Sequence, residues 1–356
     1  MAYTNIDDPS AYFQTETYTG AGANTTVTFS GNSDLKPDFL WIKNRGAAYG
    51  HFVVDSNRNI SYAQNSSNAP YLETESTAAE NSNQNWMQSV NTDGFTTGIS
   101  EHINSNSGSS FVAWAWKANG GTTTTMTGGN IDSVVQANQD AGFSIVTYTG
   151  NGAVGQAVNH GLGAIPQMFI IKRRDGTGDW FVYHQAMGNT KHLHLNTTAA
   201  ESTTSDFGNY GPNVNNFYVN NTGTCINNET YIAYCFAKKQ GYSKFDKYLG
   251  NGSADGPFVH TGFKPAFVMI KRTDSTGGWT IYDIKRGVNG NNYELFPHSS
   301  EAEYTGTSYF EADILSNGFK LRLTDGQINA SGGTYVYMAF AENPFTTSTG
   351  IPTTAR

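Results

Sequence analysis

Short apolar runs of strand length, separated by stretches rich in Gly, Asn, Thr and Ser, make up the hydrophobic pattern of this chain. The run at 335–341 reaches seven residues, far short of the roughly 20 that cross a bilayer as a helix. Several runs are apolar at consecutive positions, as in strands that are buried on both faces. Aromatic and β-branched residues fill the runs, and helix-favouring residues are few. The pattern predicts an all-β protein without membrane insertion.

The apolar pattern occurs three times, with the same landmarks in the same order. A proline opens an apolar run that ends six positions later in a lysine: Pro37 and Lys43, Pro166 and Lys172, Pro265 and Lys271. A Tyr-x-Gly-x-Gly turn begins 17 to 19 residues before each proline, at Tyr18, Tyr148 and Tyr248. Eighteen residues after each proline a polar residue closes a second run, at Asp55, His184 and Asp283. Such agreement at every landmark indicates three copies of one module.

The repeats divide the chain into domains. We predict three tandem antiparallel β-sandwich modules, jelly-roll or lectin-like and of about 100 residues each, over residues 11–118, 142–240 and 242–346. The Gly/Thr-rich stretch 119–141 predicts a flexible linker. Residues 1–10 lie outside the repeats and suit a docking segment, and residues 347–356 suit an extended tail.

Charge and cysteine content narrow the classes of function. The net charge is −8 with no basic run, which disfavours a nucleic-acid partner. The N-terminus has neither a basic nor an apolar signal region, so we expect synthesis without a signal peptide. Cys235 lies in an apolar run and is predicted to be a buried free thiol, while its pairing with Cys225 stays open.

The search for catalytic and metal-binding residues predicts none, and no cofactor. The acidic residues of one Ser/Thr-rich loop in each repeat are interpreted as solvated: Glu73, Glu75, Glu80, Glu201, Glu301 and Glu303. His192 and His194 have a spacing compatible with a metal, but a third ligand is not evident. The three strand-ending lysines are interpreted as solvated or locally paired. A residue present in every copy is usually structural, because an active site is needed only once, so we expect a protein without enzymatic activity.

Four segments resemble a group of uncharacterised, repeat-bearing structural proteins of marine tailed bacteriophages. These segments are Ala2–Phe13, Leu35–Arg45, Gly142–Gly152 and Ala341–Phe345. The resemblance covers nearly the whole chain and carries no functional residues with it. It implies a virion component, assembled in the host cytoplasm and released by lysis, in the tail fibre or adsorption apparatus.

Two classes of function follow from the repeats. The first is a phage structural protein that contributes to host attachment, bound to other virion proteins and, by analogy with fibres, forming a homotrimer. Its docking to the particle is assigned to Tyr3, Ile6, Tyr12 and Phe13. The second is a carbohydrate-binding array that binds host surface glycans, with Trp86, Trp180 and Trp279 as stacking aromatics, although Trp180 and Trp279 also suit core positions. A capsid decoration protein differs from the first only in its place on the particle.

Overall fold

The computed structural model describes residues 3–58, 69–83, 86–105, 108–287, 293–305 and 312–353. Within these ranges the regular elements are β-strands and three short 3-10 turns, Pro9–Ala11, Ser56–Arg58 and Gln185–Met187. The strands between the Gly- and Asn-rich turns are two to eleven residues long. Isolated strands or hairpins of this length are not stable in water, so the sheets must pack on one another.

Repeat 1 forms one large and one small antiparallel sheet. Its described strands β1 to β9 are Phe13–Thr19, Thr25–Val27, Phe39–Asn44, Phe52–Asp55, Ala69–Glu73, Asn81–Asn83, Met87–Asn91, Gly94–Thr97 and Ser110–Trp116. The large sheet has the order β1-β9-β3-β4-β5-β6, and the small sheet has the order β2-β8-β7.

Repeat 2 has the same two sheets, with the large one extended at its edge. Its described strands β10 to β19 are Thr124–Met126, Ser133–Asn138, Phe143–Thr149, Gln156–Asn159, Met168–Arg173, Trp180–His184, Lys191–His194, Ser202–Thr203, Asn216–Val219 and Thr230–Phe236. The large sheet has the order β10-β11-β12-β19-β14-β15-β16-β17, and β13 pairs with β18 in the small one.

Repeat 3 completes the set. Its described strands β20 to β26 are Ser243–Leu249, Phe258–His260, Phe263–Arg272, Trp279–Asp283, Ala312–Leu315, Gly318–Leu321 and Thr334–Pro344. The large sheet is β20-β26-β22-β23 and the small sheet is β21-β25-β24. In each repeat the strand that leads into the Tyr-x-Gly-x-Gly turn, β1, β12 or β20, pairs with the last strand. The last strand also pairs with the strand that follows or contains the proline, β3, β14 or β22.

A separate apolar core lies between the two sheets of each repeat. In repeat 1 the large sheet contributes Leu40, Ile42 and Phe52, and the small sheet contributes Val27 and Phe95. Corresponding cores occupy repeats 2 and 3. Each repeat is therefore an antiparallel β-sandwich, which confirms the predicted all-β sandwich fold.

The opposite faces of the three large sheets meet in one central core. It receives equivalent positions from each last strand: Trp114 and Trp116 from β9, Tyr234 and Phe236 from β19, Met338 and Phe340 from β26. Rings of different repeats lie close together, with centroids 4.4 Å apart for Phe39 and Tyr234 and 6.0 Å apart for Phe236 and Phe340. Both faces of these sheets are thus buried, which explains the uninterrupted apolar runs.

The strand-ending lysines connect each repeat to its neighbour. The Nζ of each lysine donates to a backbone carbonyl of the neighbouring repeat: Lys172 to Thr77 O at 3.1 Å, Lys271 to Ala199 O at 2.8 Å and Lys43 to Ser300 O at 3.1 Å. Repeat 2 thus binds repeat 1, repeat 3 binds repeat 2, and repeat 1 binds repeat 3, which closes a ring. All three lysines are fully buried. Of the two interpretations, solvated or locally paired, the second is correct: each ammonium is locally paired with a backbone carbonyl of its own repeat. None is solvated, because a loop of the next repeat covers each strand end.

The loops that receive the lysines also carry the acidic residues. Their backbone N–H groups donate across the junctions: Glu80 to Arg174 O at 2.6 Å, Glu201 to Thr273 O at 2.8 Å and Glu303 to Arg45 O at 2.8 Å. The carboxylates of Glu80 and Glu303 form ion pairs with the same arginines, at 2.9 and 2.7 Å. The interpretation of these two glutamates as solvated is therefore wrong, whereas Glu301 is exposed.

The stretch 119–141 is not a free linker. Its strands β10 and β11 extend the large sheet of repeat 2, with β11 paired to β12 along its whole length. Gln136 is fully buried, and its Oε1 accepts from Ser56 Oγ of repeat 1 at 3.0 Å. The prediction of a flexible linker is corrected because alternate residues, Ile131, Ser133 and Val135, are buried while those between them are exposed, as in an added strand.

The N-terminal segment packs against its own chain. Ile6 and Phe13 are 4% and 2% exposed and belong to the central core. Thr4 Oγ1 donates to Gln240 O at 2.7 Å, and the carboxylate of Asp7 accepts from Ser348 N at 2.6 Å. The predicted docking of Ile6 and Phe13 onto another component of a particle is corrected, because these apolar side chains are already covered.

Candidate functional site

The residues that all three repeats share make the contacts that close the ring. A site with a specific function is therefore expected where the repeats differ. In repeat 2, residues 204–215 join β17 to β18. They include the exposed Tyr210, whose ring lies beside that of the half-buried Tyr218, and Asp206, which contacts the buried His192 of β16. We call residues 198–218, with β16, the repeat 2 outer site.

The predicted stacking tryptophans do not form a surface. Trp180 and Trp279 are 1% and 2% exposed and lie in the central core. Their indole N–H groups donate across junctions, Trp180 to Glu73 O at 3.0 Å and Trp279 to His194 O at 2.9 Å. Their assignment as glycan platforms is corrected, because the neighbouring repeat covers both rings.

The third predicted platform, Trp86, is partly buried in repeat 1. Its ring stacks on His102 with centroids 4.9 Å apart and approaches Tyr71 at 5.0 Å. It packs against the core between the two sheets of its repeat. The ring is therefore engaged by its own repeat and offers little open face.

Tyr210 is the exposed aromatic residue of the repeat 2 outer site. It is 57% exposed, and its ring centroid lies 5.2 Å from that of Tyr218. The Asn213 side-chain amide donates to the Tyr218 hydroxyl at 3.1 Å. Aromatic faces beside amide groups suit stacking and hydrogen bonding to a neutral polar ligand.

Two glycines hold the ring of Tyr210 in place. Gly155 and Gly208 both have positive φ, and a Cβ on either would lie 2.9 or 3.1 Å from the Tyr210 ring. A side chain at either position would be strained and would displace the ring. The ring is thus supported from below by backbone, which fixes its orientation on the surface.

His192 on β16 connects an exposed serine to a buried aspartate. Its Nε2 lies 2.7 Å from Ser202 Oγ on the paired strand β17. Its Nδ1 lies 2.8 Å from Asp206 Oδ2, with the carboxylate off the axis of the N–H bond. Ser202 is exposed, whereas His192 and Asp206 are buried. A nucleophile, a base and a carboxylate are therefore present in one connected group.

Asp206 is held as a carboxylate. Burial raises its pKa, but the close contact with His192 and the hydrogen bonds from Thr204 and Thr222 outweigh burial and lower the pKa overall. The backbone N–H of Asp206 is itself bonded to Thr204 Oγ1 at 3.0 Å. The negative charge beside His192 is consequently fixed in position and in ionisation state.

The neighbouring histidine does not complete a metal site. His194 stacks on His192 with centroids 4.5 Å apart, and burial lowers its pKa. Across the described ranges, no group of three or more His, Cys, Asp or Glu side chains is arranged to hold a metal ion. The His192 and His194 pair thus contributes stacked rings to the repeat 2 outer site.

The remaining predicted docking residues line a cleft. Tyr3 and Tyr12 border a cavity of about 300 Å³ together with Asp140 and Lys239. The Tyr3 hydroxyl donates to Gly262 O, and Tyr12 packs edge-on against Tyr242 at 6.0 Å. These two tyrosines, unlike Ile6 and Phe13, keep part of their surface exposed.

Both cysteines are buried and free, which confirms the prediction for Cys235. Burial raises the pKa of the Cys235 thiol, so it stays protonated and unreactive. Among the described helical turns, none has the length and apolar content to cross a membrane.

Sequence reasoning missed the connection of His192 to Ser202 and Asp206. Ten and fourteen residues separate them along the chain, without the strand-turn-helix pattern of known serine hydrolases. The available signal was the alternation of β16, which places His192 and His194 on one face opposite a short polar strand.

Comparison with known proteins identifies one family. Residues 8–344 match a family described as Domain of unknown function (DUF7483). The match spans all three repeats of the chain. No curated protein and no solved structure matches the chain.

Proposed function

The chain belongs to the DUF7483 family, and because that description names no activity, we propose from the closed ring that it is a structural protein of a phage particle. Its place is the tail fibre or adsorption apparatus, where it contributes to host attachment. The proposal also draws on the resemblance of its segments to structural proteins of marine phages.

The single observation that carries the proposal is the use made of the repeated residues. The buried lysines, the core tryptophans and the loop glutamates all connect one repeat to the next. Repeated positions therefore hold the three repeats together, and the outer loops, where the repeats differ, are not needed for that role. A joined body that presents differing loops suits attachment better than it suits metabolism.

The ring also bears on the oligomeric state. Many fibres obtain threefold geometry from three chains, whereas here three repeats of one chain supply three equivalent junctions. A homotrimer of this chain remains a prediction, and the central core does not require it. Light scattering on the purified 38.6 kDa chain distinguishes monomer from trimer.

Localisation in purified particles tests the proposed function. We expect mass spectrometry of gradient-purified virions to detect the chain, and gold-labelled antibody to mark the tail. Labelling of the head would instead support the alternative position, that of a capsid decoration protein. Absence of the chain from particles that infect normally would overturn the proposal.

A second candidate function, glycan binding, is favoured by one specific observation. Tyr210 presents a supported, exposed ring beside Tyr218 and the amide of Asn213. Stacking of a sugar on such a ring contributes about 1 kcal/mol. Tyr210 thus replaces the buried tryptophans as the expected platform.

A glycan array with the intact chain tests this second candidate. We expect binding to a subset of neutral glycans and a loss of roughly tenfold in affinity for Tyr210→Ala. Phe258→Ala, which removes an exposed aromatic residue of repeat 3, serves as the control and should bind normally. A flat response of the unaltered chain across the array would reject glycan binding.

A further inference from the structure

The repeat 2 outer site contains the parts of a hydrolytic centre. We propose that Ser202 as nucleophile, His192 as general base and the carboxylate of Asp206 form a centre that hydrolyses short-chain esters. The inference rests on the contacts of these three residues and is independent of the place of the protein in a particle.

The geometry around the serine meets the first requirement of nucleophilic catalysis. Ser202 Oγ is 2.7 Å from His192 Nε2, within the range for direct proton transfer. The serine lies on the outermost strand of its sheet and is exposed to solvent, while the base behind it is buried. A substrate carbonyl can therefore approach the oxygen from the solvent side.

The aspartate meets the second requirement. With Asp206 Oδ2 at 2.8 Å from Nδ1, the carboxylate stabilises the imidazolium that forms when His192 accepts a proton. Its position off the N–H axis does not weaken this effect greatly, because charge stabilisation depends mainly on distance. Two threonine hydroxyls fix the carboxylate, Thr204 by donating to Oδ2 and Thr222 by donating to Oδ1.

The reaction that follows balances with water as the second reactant. Ser202 Oγ bonds to the acyl carbon of the ester while its proton passes to His192 Nε2. The bond from the acyl carbon to the alcohol oxygen breaks, and the alcohol leaves with that proton. Water then attacks the acyl carbon and gives a proton to His192, and the acid is released as the serine regains its proton.

The group occurs in one repeat only, which sets it apart from the ring-closing residues. The position of His192 is occupied by Tyr71 in repeat 1 and by Glu294 in repeat 3, judged from their pairing with equivalent strands. The position of Ser202 is occupied by Asn81 in repeat 1. A structural requirement of the sandwich would be expected in all three copies, and this group is not.

The substrate class follows from the surface. Ser202 lies on an open strand edge flanked by Thr203 and by the ion pair of Lys191 with Glu201 at 3.6 Å. An open polar edge accommodates a short acyl group, such as an acetyl ester on a polar carrier, better than a long apolar chain.

Hydrolysis of p-nitrophenyl acetate by the intact chain, together with labelling by a fluorophosphonate, tests the inference. We expect mass spectrometry to locate the phosphonyl group on Ser202. We expect the hydrolysis rate of Ser202→Ala and His192→Gln to fall at least tenfold, and that of Asp206→Asn by a smaller factor.

Ser82→Ala is the matched control. Ser82 is an exposed serine on β6, the equivalent edge strand of repeat 1, and it has no histidine opposite. It should keep the full rate. Equal rates for Ser202→Ala and the unaltered chain, or labelling at other serines with Ser202 unmodified, would overturn the proposal. Circular dichroism of each folded variant separates lost chemistry from lost structure.

Discussion

Buried ionisable residues at the junctions act through hydrogen bonds to backbone. Lys43, Lys172 and Lys271 are fully buried, and burial lowers the pKa of each to about 8. Each ammonium binds backbone carbonyls of its own repeat and of the next. A buried charge without such acceptors would cost several kcal/mol, so each lysine specifies where the neighbouring loop must lie.

His184 gives the junction of repeats 2 and 3 a dependence on pH. Its Nε2–H donates to Tyr337 O at 3.1 Å, and its Nδ1 accepts from Ala186 N at 3.3 Å. Burial lowers the pKa of His184 to about 4. The hydrogen bond to the Tyr337 carbonyl raises the pKa, but by less than burial lowers it. The folded protein therefore holds the neutral ring at neutral pH.

We predict that acid destabilises the protein through His184. The unfolded chain binds a proton near pH 6.5 and the folded chain only near pH 4, so the stability present above pH 6.5 is lost as the pH falls toward 4. Between pH 7 and 4.5 the loss is about 2 kcal/mol, measured by urea unfolding. His184→Asn keeps a side-chain oxygen for Ala186 N and should lose correspondingly less. Identical losses in both proteins would contradict the assignment.

At the scale of elements, two junctions share a buried ion pair that the third lacks. After its fourth strand, repeat 1 has Asp55 bonded to Arg58 at 2.6 Å, and repeat 3 has Asp283 bonded to Arg286 at 2.5 Å. Each aspartate also accepts from the neighbouring repeat, Asp55 from the Tyr234 hydroxyl and Asp283 from Trp114 Nε1. In repeat 2 the same positions hold His184 and Met187.

We predict that Arg286→Met destabilises the protein by about 3–5 kcal/mol, because it leaves Asp283 buried without its cation. The matched control is Met187→Leu, at the equivalent position of repeat 2, which should cost under about 1.5 kcal/mol. Chemical unfolding of both variants measures the difference. A loss below about 1 kcal/mol for Arg286→Met would show that Asp283 has another adequate partner.

At the scale of the whole molecule, the central core makes the repeats depend on one another. One face of each large sheet is covered only by the other two repeats, and that face carries Trp, Phe, Met and Ile side chains. Removal of the neighbours would expose this face to water at roughly 25 cal/mol per Å² of apolar area. A repeat by itself would then lose much of its stability.

We predict that residues 119–240, expressed alone, do not persist as a folded monomer. The isolated repeat should assemble into oligomers through its uncovered face, or aggregate, whereas the full chain should unfold in one cooperative transition. Light scattering and thermal unfolding of both proteins measure these outcomes. A stable, monodisperse monomer of the single repeat would contradict the shared core.

The sequence by itself determined the fold class and many of the strands. Alternating and continuous apolar runs, turn glycines such as Gly94 and strand-opening prolines are local signals that act within a few residues. The run after Pro37 predicted a strand buried on both faces, and β3 is one. The free, buried state of Cys235 followed from its apolar neighbours in the same way.

Only the tertiary structure decided what the repeated residues do and where a site lies. Whether Lys172 reaches solvent or Thr77 O, and whether Trp180 is a platform or a core residue, depends on a repeat more than ninety residues distant. The contact of His192 with Ser202 and Asp206 depends likewise on strand pairing and loop placement. The way the sheets pack determines which residues are buried and which distant segments form hydrogen bonds. That packing cannot be predicted from the local pattern of polar and apolar residues.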